Sequence, residues 1–282
     1  MSESDKYPPS SGRRRFVNGV VGAASLVGFG SFGTVAFDTL TQRSGAGGGT
    51  TEFYGIENTD GPAPRAMPQI VVDVDDEGYV KGRYPEVSEQ TVRGETVQIA
   101  EEEIGDIVYT AEWFQYCGVQ GYQGIAPDYE GDDYFRYADG PPYDWQSENV
   151  EAGDRVHVDD FQDYETWGNG IGRAGLGKPA MVTWRSQDTE NTIPVQVLRS
   201  TRVEQLEGDA GDEWFSAATD QGMMAWLNKC THFCCAPGFK STDQSAKFGG
   251  ADDVYCPCHQ SLYDPFNIVR SAFVAFPRPE DG

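Results

Sequence analysis

Cys230-Thr-His232-Phe-Cys-Cys235 and, after a gap of 20 residues, Cys256-Pro-Cys258-His259-Gln-Ser261-Leu-Tyr263 hold five of the chain's six cysteines and two of its three histidines. Each segment carries a mixed sulfur and nitrogen pair, Cys230-x-His232 in the first and Cys256-x-x-His259 in the second. A mixed pair lets one short loop give a thiolate to one metal ion and an imidazole to its neighbour. A tetrahedral Cys2His2 zinc site would use the same four groups, but zinc motifs usually space Cys from Cys and His from His. A disulfide-rich fold with ordinary buried cysteines would leave the placement of the two histidines unexplained. Cys235 and Cys258 remain as a second cysteine in each loop.

The two loops resemble those of the Rieske iron-sulfur proteins, whose patterns Cys-Thr-His-x-Gly-Cys and Cys-Pro-Cys-His-Gly-Ser-x-Tyr match Cys230 to Cys235 and Cys256 to Tyr263. In Rieske centres two His replace two Cys on one iron of a two-iron, two-sulfide cluster, which raises its potential. The resemblance implies one such 2Fe-2S cluster per chain, with Cys230 and Cys256 on one iron and His232 and His259 on the other. It also implies a disulfide between Cys235 and Cys258, and hydroxyls from Ser261 and Tyr263 donated to a cluster sulfide and a ligand thiolate. Cys234 and Gln260 depart from the pattern, standing where the family usually has Gly. If those glycines have positive φ, each replacement carries a backbone cost.

The expected fold class is all-β: a Rieske-type head of stacked antiparallel sheets with the two cluster-binding loops at its tip, preceded by one N-terminal transmembrane helix. Within the head, Gly177 to Arg185 reads as a strand opened by a Gly-Lys-Pro turn. Pro194 to Leu198 alternates as a strand should, and Met223 to Asn228 leads into the first loop. The divisions expected are a cytoplasmic tail (1–12), a leader or anchor (13–38), a flexible Gly/Ser linker (39–50), an acidic, aromatic-rich segment of unknown role packed on the head (51–150), and the head itself (151–282). Strand-like stretches in the fourth lie at Gln69 to Val74, Thr91 to Ile99 and Ile107 to Thr110. Gly61-Pro-Ala-Pro64 is similar to a loop of the family that follows the second ligand segment; lying far upstream here, it reads as a coincidence. Shielding of the cluster is expected from Phe273 to Pro279 instead.

Arg13-Arg14-Arg15-Phe16-Val17 resembles the twin-arginine export signal, and Phe16 to Phe37 carries no charge. Twenty-two helical residues span roughly 33 Å, enough for a bilayer core. A cleaved signal peptide is the alternative, and the absence of a clear Ala-x-Ala favours a retained single-pass anchor. Arginines on the near side and Asp38 beyond leave the N-terminus cytoplasmic and the head on the extracellular face of the cell membrane. Such a route suits a protein that takes up its cluster in a reducing cytoplasm and keeps a disulfide outside. The linker around Thr41 to Thr50 would give the head roughly 17 Å of slack.

Asp and Glu number 45 against 21 Lys and Arg, a net charge of −24 spread along the chain, which resembles the surface of haloarchaeal proteins. Concentrated salt screens the self-repulsion of such a shell, and nucleic-acid binding is excluded at this charge. By resemblance the chain is the high-potential iron-sulfur subunit of a quinol:cytochrome c (or plastocyanin-like) oxidoreductase of the cytochrome bc type. Its partners would be a cytochrome b-type membrane subunit, quinol, and a cytochrome c or blue-copper acceptor. His259 would be the catalytic group that hydrogen-bonds the quinol. The small Rieske subunit of an arsenite oxidase and a Rieske ferredoxin are the alternatives. Ferredoxins normally lack the second Cys of each loop. Cys117 and Cys234 are left over and, in an exported protein, could pair with each other; His157, outside both loops, reads as structural.

Overall fold

The computed structural model describes residues 50–92, 95–115, 123–208 and 213–275. The leader, most of the linker, Cys117 and the end of the shielding segment expected at Phe273 to Pro279 lie outside the described residues. Among the described residues no helix is long and apolar enough to cross a membrane.

Antiparallel β-structure dominates, in keeping with the all-β class expected. The strands are β1 (Thr50–Asp60), β2 (Met67–Ile70), β3 (Val72–Val74), β4 (Val80–Gly82), β5 (Val87–Val92), β6 (Glu95–Ile104), β7 (Ile107–Thr110), β8 (Arg136–Tyr137), β9 (Lys178–Trp184), β10 (Ile193–Arg199), β11 (Met223–Leu227), β12 (Gly238–Phe239), β13 (Val254–Cys256) and β14 (Ser261–Val274). Short helices α1 (Asp144–Asn149), α2 (Thr201–Glu207) and α3 (Glu213–Ala218) interrupt them. One nine-stranded sheet runs in the order β12-β13-β14-β1-β2-β11-β10-β9-β8, beside a β3-β4 pair and a β5-β6-β7 sheet.

The strands form where apolar and β-branched residues alternate or run together. In β1, Thr51 and Phe53 point inward between exposed Thr50 and Glu52, the period of two that a half-buried strand requires. In contrast, Met223-Met-Ala-Trp-Leu227 is buried throughout, which suits a strand in the middle of a sheet covered on both faces. Thr91 to Ile99, expected as one strand, is divided between β5 and β6, which pair antiparallel with Val92 opposite Glu95. The alternation on either side of Gly94 hid that punctuation.

The large sheet also crosses the division placed at residues 150 and 151. β1 and β2 lie between β14 and β11, and β1 pairs with β14 over almost its whole length, from Thr50 opposite Val274 to Asp60 opposite Leu262. The described residues, from Thr50 to Ala275, accordingly fall in one compact unit. Aromatic residues of the acidic segment, expected to pack on the head, fill its main core: Phe53, Tyr109, Trp113, Phe114 and Phe135 are buried with Trp184 and Trp214. The Trp113 and Trp214 rings stand 4.9 Å apart, a contact worth about 1 kcal/mol beyond its buried area. A second core, containing Ile56, Met67, Trp226, Phe239, Val254 and Phe266, lies under the two cysteine-rich loops.

Candidate metal centre

The two loops arise from neighbouring strand ends. The first leaves β11 and enters β12; the second joins β13 to β14 as a hairpin, with Cys256 opposite Ser261. Each closes on itself by backbone hydrogen bonds. In the first loop Cys234 N–H donates to Cys230 C=O at 3.0 Å and Cys230 N–H to Cys235 C=O at 2.7 Å. In the second, Gln260 N–H donates to Cys256 C=O at 2.9 Å. Closure needs one left-handed residue per loop, and these are Cys234 (φ 61°) and Gln260 (φ 62°). Both are the positions where the sequence departs from the glycine pattern, so the backbone cost applies at both.

The residues singled out in the sequence come together. The sulfurs of Cys235 and Cys258 are bonded at 2.06 Å, joining the loops. The His232 and His259 rings stand edge to face with centroids 4.6 Å apart, and the Cys230 and Cys256 thiols are hydrogen-bonded to each other. Cys230, Cys256, Ser261 and Tyr263 are buried, whereas His259 is exposed at the tip. Tyr263 donates its hydroxyl to Cys230 Sγ at 3.4 Å and also lies 3.4 Å from Thr231 Oγ1, while Thr231 N–H donates to the Tyr263 oxygen at 3.2 Å.

The electrostatics of this pocket favour a cation. The Cys256 hydrogen bond is the main cause that pulls Cys230 down to about 5, with Tyr263 adding to it. The same bond, followed by burial, pushes Cys256 up. Two adjacent thiolates repel each other, and a metal between them removes that penalty and deprotonates both. Burial first, and then the bond to Cys230, raises Tyr263 and keeps it a donor.

Whether these groups fit a two-iron, two-sulfide cluster is tested by two buried polar atoms. His232 Nδ1 is buried with no hydrogen-bond partner among the described residues, a cost that ligation would remove. Ser261 Oγ, on a wholly buried side chain, accepts from Ala63 N–H at 3.2 Å and donates to no protein atom among the described residues. An imidazole nitrogen without a partner and a hydroxyl proton without an acceptor suit a metal and a sulfide. Cys235, Cys256 and Cys258 also bring their sulfurs within 4.8 Å of one another. Two of the three are spent in the disulfide, so that trio is not a second metal site.

Three further placements bear on the site. His157 is structural: its Nδ1 accepts from Asp159 N–H at 3.1 Å, so Nε2 carries the proton donated to Glu77 C=O at 2.8 Å. A cavity of about 560 Å³ opens on the disulfide flank between Met181, Asn228, Pro237 and Pro257, and neither imidazole lines it. Among the described residues Cys234 is a free, half-buried thiol, and its expected pairing with Cys117 falls outside them.

The reading of Gly61 to Pro64 as a coincidence is corrected. This stretch links β1 to β2 and lies directly against both ligand loops, with Ala63 bonded to Ser261 and Arg65 to Thr231. Sequence distance misled, because the antiparallel pairing of β1 with β14 returns residue 60 to the side of residue 262. No protein-family model, curated protein or solved structure matches this chain.

Proposed function

We propose that the chain is the Rieske-type electron-transfer subunit of a quinol-oxidising cytochrome bc-type complex, held at the outer face of the cell membrane by its N-terminal anchor. The observation that carries this reading is the pair of mixed Cys/His loops, brought together by the disulfide between their remaining cysteines. In it Cys230, Cys256, His232 and His259 hold the cluster, whose chemistry is the acceptance and release of one electron. Tyr263 and Ser261 hold their hydroxyl protons toward the buried sulfurs. A hydrogen bond to a more negative acceptor is stronger, so both side chains favour the reduced state.

His259 is the exposed imidazole of the pair and the group a docked quinol would reach. The ring nitrogen not used as a ligand would accept the quinol hydroxyl's hydrogen bond and take its proton. His232, half-buried behind Phe233 with ring centroids 4.5 Å apart, is shielded from that role. Phe233 is 66% exposed, and from Cys230 to Pro237 and Cys256 to Tyr263 there is no charged residue, in a chain of net charge −24. Such a tip suits insertion against an apolar membrane subunit. The disulfide favours this reading over a ferredoxin, since ferredoxins of this type normally lack both cysteines.

Detergent extraction from native membranes tests the assignment. The chain should co-purify with a b-type cytochrome, and added quinol should reduce its cluster within the complex. Recovery with a molybdenum-containing partner and arsenite-dependent reduction would move it to the arsenite oxidase class.

A further inference from the structure

We infer that the cavity on the disulfide flank is a binding site for a small neutral molecule with an aromatic body and one hydroxyl donor, separate from the exposed imidazole at the tip. One wall is the half-buried face of β9 and β10, where Met181 and Thr183 follow each other and Thr183 stands opposite Pro194. Asp139 to Pro142 supply a second wall. Pro237, two residues after Cys235, and Pro257, beside Cys258, supply the rest of the frame. At about 560 Å³ the cavity falls within the roughly 300–1,000 Å³ in which proteins hold small ligands.

The polar contact comes from Asn228, which lines the cavity and is only 1% exposed. Its Nδ2 donates to Pro237 C=O at 2.9 Å and to Met181 Sδ at 3.2 Å. A carbonyl oxygen only accepts, so Nδ2 and not Oδ1 must face Pro237. Oδ1 is thereby fixed at the other corner of the amide, buried and with no donor among the described residues. An orphaned buried acceptor is costly, and a hydroxyl arriving from the cavity removes that cost. The hydroxyls of Ser241 and Thr242, also in the lining, already serve the chain itself: Ser241 Oγ donates to Gly238 C=O at 3.2 Å, and Thr242 Oγ1 accepts from Gln244 N–H at 3.3 Å. The lining also sets the ligand's body. Among its described residues only Asp139 is charged, and Asp139 is exposed, so an ionised ligand would shed water for little return. Pro141, Pro142, Pro194, Pro237 and Pro257 all line the cavity. Proline rings pack on aromatic faces, as Pro-rich segments do in aromatic-lined grooves; here the aromatic group belongs to the ligand.

Thymol is a suitable probe, and its methyl ether is the same body without the donor. Protein isotope-labelled in its Met methyl groups reports the site, because Met181 lines the cavity whereas Met67, Met223 and Met224 are wholly buried and do not. Thymol should bind with a stoichiometry of one in calorimetry and shift the Met181 methyl resonance, identified by Met181→Leu, leaving the other three in place. The ether should bind roughly tenfold more weakly, since it leaves Asn228 Oδ1 unpaired. Thr183→Trp, which fills the cavity from the sheet side, should abolish binding of both. No saturable shift at Met181, equal affinities for the two probes, or full affinity in folded Thr183→Trp overturns the inference. If Thr183→Trp does not accumulate, the two probes on the wild type decide alone. A Met181 methyl that moves only in the complex with a membrane partner would make the cavity a protein contact and overturn the ligand reading. None of these results bears on the cluster, which stands or falls on metal content.

Discussion

At the residue scale, the two positions that break the glycine pattern are the most instructive. Cys234 and Gln260 sit in left-handed backbone near φ 60°, where an L side chain costs about 1 kcal/mol relative to Gly. Gln260→Gly should therefore keep the loop's geometry and raise the midpoint of thermal unfolding by a few degrees. Cys234→Gly should do the same and also remove a half-exposed thiol. Calorimetry of the three proteins checks this, and a lowered midpoint in both variants would mean that the side chains make contacts worth more than the strain. Tyr263 invites a different substitution. Its hydroxyl is wholly buried and donates to Cys230 Sγ, so Tyr263→Phe removes a donor from a sulfur that grows more negative on reduction. Redox titration should show a lower potential, with the ligand-loop fold retained.

At the element scale, the hairpin from β13 to β14 carries a carboxylate pair that makes its stability depend on pH. Burial, then the neighbouring Asp264 and Asp252, raises Asp253 from 3.8 to about 6. The folded state therefore binds this proton more tightly than the unfolded chain. Its contribution to stability is full below about pH 3.8, declines across the window up to about 6, and is lost above it. Urea midpoints of wild type and Asp253→Asn should diverge most across that window, the wild type falling more steeply as pH rises. Parallel curves would contradict the assignment. The two Cys/His loops were legible as a candidate site because each is a short local motif whose residue types stand together in the sequence. The element that braces them was not: Ala63 meets Ser261 across 198 positions and Arg65 meets Thr231 across 166, and no local pattern reports which strands will pair. The Gly-Lys-Pro turn shows the same limit. Lys178 was visible as part of a strand start, but not as a buried cation bonded to Asp163 at 2.6 Å and to Asp160 C=O at 2.7 Å.

At the scale of the whole molecule, charge is distributed unevenly between inside and outside. The side chains of Lys178, Arg185 and Lys240 are almost wholly buried, each paired with an aspartate. Few of the 21 basic residues need be so used before the surface of a chain with 45 acidic ones becomes strongly self-repelling. Ions at about 1 M shorten the reach of that repulsion to roughly 3 Å, against roughly 10 Å at 0.1 M. Lowering KCl from about 2 M to 0.1 M should therefore lower the unfolding midpoint markedly; a midpoint indifferent to salt would speak against a salt-adapted surface. All the electron-transfer readings rest on the cluster proposed to lie between the two loops, and that is open to a direct measurement. Purified protein should contain two iron atoms and two acid-labile sulfides per chain, and the reduced form should give the electron paramagnetic resonance signal of low average g that mixed Cys/His ligation produces. Stoichiometric zinc without labile sulfide, or an all-thiolate cluster signal, would contradict it.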